Sequence, residues 1–338
     1  MLHAPPLATR RCALLLTPPA PRLRFTRWAM TPHALGRDTA PISPPAPPLA
    51  SMDTLRTRVD EIRASFDATA IGVAVYDTET RGELHYGADR WFHAASTIKV
   101  AILLGVFDAI HRGVLVPQSR LHVRNRFVSA YDGSPFRVLA DRDANSEVHE
   151  AIGKTMRISE LALHMIATSS NLATNLLLDL VGLANVQRTV AHFGIEGVDV
   201  RRGVEDELAF EHGIVNRVTA NGLVALLRII AEERAFTHEL SRGMLEILHQ
   251  QEFRNGIPAR LPRAVRVAHK TGDISTVAHD AGIVYPPERR PYVVAILTEW
   301  NATTTGGGAR SSTIASISHA VYECLAGDRL RTAGGAGG

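Results

Sequence analysis

Lysine is almost absent from this chain: of its 37 basic residues only Lys99, Lys154 and Lys270 are lysine. Arginine keeps its proton under ordinary conditions, whereas a buried lysine gives its proton up, so lysines retained against this bias are candidate sources of a neutral amine. Cysteine is scarcer still. Cys12 and Cys324 stand near opposite ends and supply neither a disulfide framework nor a metal-ligand pair. Long apolar runs are missing too, since stretches such as 100–106 and 176–182 fall far short of the roughly 20 residues a membrane-spanning helix needs. What is present is ample apolar content, 45% over 338 residues, enough for one large domain or two modest ones with a buried core.

Positive charge is also short in the body of the chain, despite a sequence pI of about 9.1. The first 50 residues carry Arg10, Arg11, Arg22, Arg24, Arg27 and Arg37 against the single acid Asp38, which more than accounts for the net +3 of the whole. The remainder is close to neutral and has no basic stripe interleaved with aromatics, which argues against a nucleic-acid partner. Those 50 residues also hold 11 of the 18 prolines, the composition of a segment unable to bury enough surface to fold, so a disordered tail is expected over 1–50. Thr9-Arg10-Arg11-Cys12 resembles the start of a twin-arginine export signal, but Pro18, Pro19 and Pro21 cut its apolar stretch short, and Met30 or Met52 would serve equally as a start. The cellular address stays open. A flexible Gly-rich tail is expected over 329–338.

Between the tails, Leu55, Val59, Ile62 and Phe66 recur at helical spacing and predict a helix over 53–66. A β-branched run at 71–76, a turn at 78–82 and a short strand at 83–86 make a hairpin. A long apolar helix should open at Ser96 and run to about 110. Residues 118–153 read as an irregular loop or small subdomain over the site. Helical spacing returns over 158–167, 171–181, 184–193, 219–231 and 237–250, then strands at 265–269, 281–285 and 292–298, and a last helix over 311–325. Strands at both chain ends with helices between predict an α+β fold. Its antiparallel sheet is built from both ends and flanked by helices, with an inserted all-helical lobe, in one domain spanning 53–328. Clefts form at such junctions.

Three short motifs follow in order: Ser96-Thr97-Ile98-Lys99, Ser169-Ser170-Asn171 and Lys270-Thr271-Gly272. Each alone is weak, and a serine ahead of an apolar helix is also an ordinary N-cap. On a helix, however, Ser96 and Lys99 share a face near the N-terminus, where the dipole favours developing negative charge. A serine hydroxyl becomes a good nucleophile only when a base takes its proton. Lys99 can be that base if burial and a second cation, Lys270, depress its pKa. The amides of Ser96 and Asp273 are candidate donors to a tetrahedral intermediate. Ser169 is placed to return a proton to the leaving nitrogen, and Asn171 to hold a substrate side-chain amide. His269, His279 and Asp280 lack metal-ligand spacing, so core or strand-end roles are expected, with no metal and no cofactor. A glycine-flanked nucleophile elbow, a phosphate loop and a dinucleotide fingerprint are all missing.

With its motif order, the chain resembles the class A β-lactamases and related penicillin-recognising serine hydrolases over roughly 53–328. Met165-Ile166, then Ser169-Ser170-Asn171-Leu172-Ala173-Thr174-Asn175-Leu176-Leu177-Leu178, is similar to the start of that family's central helix, and His269-Lys270-Thr271-Gly272 falls where its third motif belongs. The resemblance implies catalytic roles for Ser96, Lys99, Ser169 and Glu205. It implies substrate contacts from Asn171, Lys270, Thr271, Gly272 and Asp273, and a small β-lactam, or a related amide or ester, as substrate. A monomer is expected.

Three departures accompany the likeness. Ser170 stands where the family usually has aspartate. Glu205-Asp206-Glu207-Leu208-Ala209 offers a glutamate at the deacylating position, but Ala209 replaces the asparagine that helps hold the hydrolytic water. Glu205 therefore reads either as that base or as a solvated acid in a charged run. Asp273-Ile274 replaces a small residue and glycine, and an acid there disfavours the carboxylate of penicillins unless Lys270, Thr271 or a nearby arginine offsets it. Open alternatives are a peptidase-like or esterase-like hydrolase of the same fold, or a sensor that binds β-lactams without turning them over.

Overall fold

The computed structural model describes residues 49–287, 289–301 and 307–334. Along the chain run helix α1 (Leu49–Ser65), strands β1 (Ala70–Asp77) and β2 (Glu83–Tyr86), and α2 (Lys99–His111). Next come α3 (Ile158–Ala167), α4 (Asn171–Val181), α5 (Leu183–His192), α6 (Ala220–Ala231) and α7 (His238–His249). Strands β3 (Arg266–Ile274), β4 (Val277–Tyr285) and β5 (Tyr292–Glu299) follow, and α8 (Gly307–Gly334) closes the chain.

The five strands form one antiparallel sheet in the order β3-β4-β5-β1-β2, so the N-terminal hairpin sits beside the C-terminal strands. Alternation along β1 sorts its side chains. Val73 and Val75 join Val294 and Ile296 of β5 in a core beneath α1 and α8, whereas Ala74 and Tyr76 join Ala295 and Leu297 in the core shared with the other helices. Because both faces are covered, β1 and β4 are buried almost throughout. In the helical lobe α2 is buried along 99–107, as an apolar helix must be when α3, α4, α5 and α7 pack around it. The α+β fold with an inserted helical lobe is thus the one expected.

Four local readings change. Ser96 does not open α2. Residues Ala95–Ile98 form a 3₁₀ turn before it, Ala94 occupies the N-cap without a side-chain bond, and Ala95 adopts φ +44°. The strand expected at 265–269 continues to Ile274, carrying all of Lys270-Thr271-Gly272 on the free edge of the sheet. Residues 118–153 are not loose: Arg120–His122 pairs with Thr155–Arg157 and Phe127–Val128 with Pro135–Phe136, while Val123, Phe127, Val138 and Val148 sink into the core. These anchors are scattered singly among polar residues, so no period announced them. Finally, α1 begins at Leu49, and α8 spans Gly307–Gly334, beyond the expected 311–325. The expected N-terminal tail up to residue 48, and 335–338, lie outside the described residues.

Candidate active site

A cleft lies between the free edge of β3 and the helical lobe, lined by Ser96, Ser169, Asn171, Thr271, Gly272 and Asp273 among others. Gly272 sets how close β3 comes to the turn that carries Ser96. A Cβ at this position would lie 3.0 Å from the amide nitrogens of both Ser96 and Thr97, so only glycine lets β3 lie flat against the 3₁₀ turn. In the two-residue turn joining β3 to β4, Ile274 faces Val277, and alternation from that pair directs the Asp273 amide to the free edge. The Ser96 amide thus lies against Gly272, and the Asp273 amide follows that glycine on the free edge.

Both lysines of the motifs are fully buried behind this edge. Lys99 Nζ donates to Ser169 O at 2.6 Å, Asn171 Oδ1 at 2.8 Å and Ser169 Oγ at 3.1 Å. Lys270 Nζ donates to the same Ser169 Oγ at 3.0 Å and to Thr271 O at 2.8 Å. One hydroxyl thus bridges two amines. Burial lowers the Lys99 pKa to about 7, against the opposing pull of the Asp143 and Glu205 carboxylates. Burial also takes Lys270 well below the usual lysine range, and the neighbouring Lys99 charge pushes the same way. Ser169 reaches the bridge because its backbone is left-handed, φ +60°, just ahead of α4. Ser96 Oγ has no hydrogen-bond partner among the described residues, and Lys99 Nζ bonds Ser169 and Asn171.

Ser170 fills the N-cap of α4, accepting from Ala173 N at 3.1 Å. A carboxylate nevertheless stands at that helix start: Asp143, from the 118–153 segment, accepts from Asn171 N at 3.0 Å and Leu172 N at 2.9 Å. Its neighbour Arg142 faces the opposite wall, pairing with Glu205 Oε2 at 2.9 Å and also with Glu207.

Glu205 is not a solvated acid in a charged run. Its side chain is 19% exposed and receives Asn171 Nδ2 at 3.2 Å. Burial raises its pKa, with Arg142 the main opposing influence. The loop that carries it, at φ +60°, is pinned from below. Asn175 bonds Val204 through both its amide atoms, Asn216 holds the backbone of Arg201 and Arg202, and buried Asp206 caps the short helix Glu207–Glu211 while accepting from Ala130 N. Ala209 lies fully buried in that helix and presents no polar side chain to the Glu205 loop. Asn171 spans the cleft, joining Lys99 on one wall to Glu205 and Arg142 O on the other.

Asp273 does have a nearby arginine. Arg310 from α8 lies 3.4 Å from its carboxylate while donating to Ile274 O and Ser275 O. Burial raises the Asp273 pKa and Arg310 opposes it. His269 bonds buried Asp280, and His279 Nε2 bonds His93 O, so all three are tied into the strands. Among the described residues no three His, Cys, Asp or Glu side chains group to hold a metal, and no helix is long and apolar enough to cross a membrane.

Residues 54–325 match the model of the β-lactamase enzyme family. A β-lactamase of Streptomyces fradiae is 30% identical over 250 residues, spanning 71% of this chain and 77% of that protein. Among solved structures, a β-lactamase from Sphaerobacter thermophilus superposes with a TM-score of 0.66 at 25% identity, covering 79% of this chain and 96% of that one. A mutant of PBP-A, solved as an acyl-enzyme complex with penicillin G, gives a TM-score of 0.68 at 25% identity, covering 83% of this chain and 98% of that one.

Proposed function

The chain belongs to the β-lactamase enzyme family, and we propose that its cleft opens the β-lactam ring through an acyl-enzyme on Ser96, which Glu205 then helps water to release. It is a serine hydrolase acting on a cyclic amide bond. Ser96 Oγ attacks the ring carbonyl as its proton passes to the neutral amine of Lys99, whose pKa of about 7 makes that form abundant at neutral pH. The amides of Ser96 and Asp273 receive the developing oxyanion. The ring C–N bond breaks as Ser169 Oγ gives its proton to the departing nitrogen and is resupplied by Lys99, which carries the proton taken from Ser96. Lys270 and Thr271 hold the substrate carboxylate, with Arg310 offsetting Asp273. Asn171 turns its amide toward the substrate's own amide on binding. In the second step Glu205 removes a proton from water as that water attacks the ester, the C–O bond to Ser96 breaks, and that proton passes by way of Lys99 to Ser96 Oγ, which leaves as the alcohol and restores the Glu205 carboxylate.

The bridging of Lys99 and Lys270 by one serine hydroxyl is the observation that carries this reading. Its test is ring opening of a chromogenic cephalosporin, followed together with intact mass. The expected result is multiple turnovers by the wild type, and neither turnover nor adduct in Ser96→Ala. A permanent wild-type adduct would favour a β-lactam-binding or peptidase-like protein. Turnover that survives in Ser96→Ala would overturn the nucleophile.

A further inference from the structure

The Asp143 carboxylate has no place in the acyl-transfer steps, yet it is completely buried and saturated with donors. Oδ1 accepts from Asn171 N at 3.0 Å and Asn145 N at 3.3 Å; Oδ2 accepts from Leu172 N at 2.9 Å, His149 Nε2 at 3.1 Å and Ser170 Oγ at 3.2 Å. Three of these five donors belong to three consecutive residues, Ser170, Asn171 and Leu172, directly after Ser169. Ser169 sits in a left-handed conformation that a serine does not choose unaided. Buried anions are stable only when so surrounded, and a charge at a helix N-terminus gains from the dipole as well.

We propose that Asp143 is a positioning residue for the reaction: its carboxylate, delivered from a separate upstream segment, clamps the turn that aims Ser169 Oγ between the two lysines and Asn171 Oδ1 at Lys99. It acts on acylation through Ser169 and Lys99 and touches no reacting atom. The proposal rests on the acyl-enzyme reading above, and its test separates the two.

Asp143→Ser removes the clamp. Ser170→Asp, alone, puts a second carboxylate beside the first, which is wholly buried. The double variant Asp143→Ser/Ser170→Asp moves the carboxylate from the upstream segment to the N-cap, where an aspartate can bond the Leu172 and Ala173 amides of the same helix start. The expected result is an acylation rate constant about a hundredfold lower in Asp143→Ser, the order expected when a reacting group is misplaced by about 1 Å, and recovery of most of it in the double variant. The pH profile supplies a readout that a merely structural role would leave still. Lys99 faces Lys270, Asp143 and Glu205, and loss of the Asp143 charge should move the acylation midpoint to lower pH. Amide hydrogen exchange across 169–172 needs no activity: it should quicken in Asp143→Ser and slow again in the double variant.

If the wild type forms no adduct but the exchange pattern holds, the acyl-enzyme reading fails and the clamp stands. If the wild type acylates and Asp143→Ser acylates at the same rate with the same exchange, the inference is overturned. Failure of the double variant to recover either rate or protection overturns it too, because Asp143 would then only be tethering its own 118–153 segment.

Discussion

The two walls of the cleft are built to different standards. On the acylating wall, Lys99, Lys270 and Ser169 come from a helix, a strand and a helix start that belong to the main core, and both amines are wholly buried. On the opposite wall, Glu205 rides a loop, takes a left-handed backbone and relies on Arg142, which is 49% exposed. Depressing a lysine pKa requires the exclusion of water, which only core elements achieve, whereas a carboxylate that must activate water cannot be sealed from it. One wall is therefore set by packing and the other by a surface ion pair that salt screens.

The largest effect should come from the packed wall. Lys99→Met keeps the volume but removes the amine, and acylation measured by rapid-quench mass should fall by about three orders of magnitude, near the usual range for loss of a general base. In the wild type, acylation needs the neutral amine, so its rate should rise tenfold per pH unit below about 7 and level off above. A flat profile between pH 5 and 8 would show that packing does not tune this base.

The loop wall should respond differently. Glu205→Gln should acylate normally and stall as an adduct, with release slowed about a hundredfold or more. If that variant instead lost acylation, the division between the walls would collapse. The smallest effect is expected from Arg142→Ala. Arg142 holds the Glu205 pKa down against burial, so its removal raises that pKa and moves the acid limb of deacylation to higher pH. At neutral pH release should slow only a few-fold, since a half-exposed ion pair contributes little. High salt should slow the wild type in the same direction and leave Arg142→Ala unaffected.

Much of the acylating wall was legible beforehand. The Ser96 to Lys99 spacing, the rarity of lysine and the strand pattern around Lys270 are local signals, and each element formed close to where its period placed it. The limits of the strands were not legible, because β3 extends through polar Lys270-Thr271-Gly272-Asp273 only by pairing with β4. Arg142, Asp143 and Arg310 carry no sequence signal for a related reason. Each is one charged residue among many, and each gains meaning only from a partner distant in sequence. The charged run around Glu205 fitted a solvated acid as well as a base until Asn175, Asn216 and Asp206 were seen to hold its loop beneath the cleft.

The sequence by itself determined the order of the elements, the α+β class and the spacing that marks Ser96 and its two lysines as candidates, because apolar period and short-range spacing survive in a one-dimensional string. Only the tertiary structure decided the rest: that one hydroxyl bridges two buried lysines, that a glycine brings β3 close to the turn that carries Ser96, and that the carboxylate at the start of α4 arrives from another segment. Burial and charge pairing across long chain separations are properties of the packed molecule, and no spacing rule carries them.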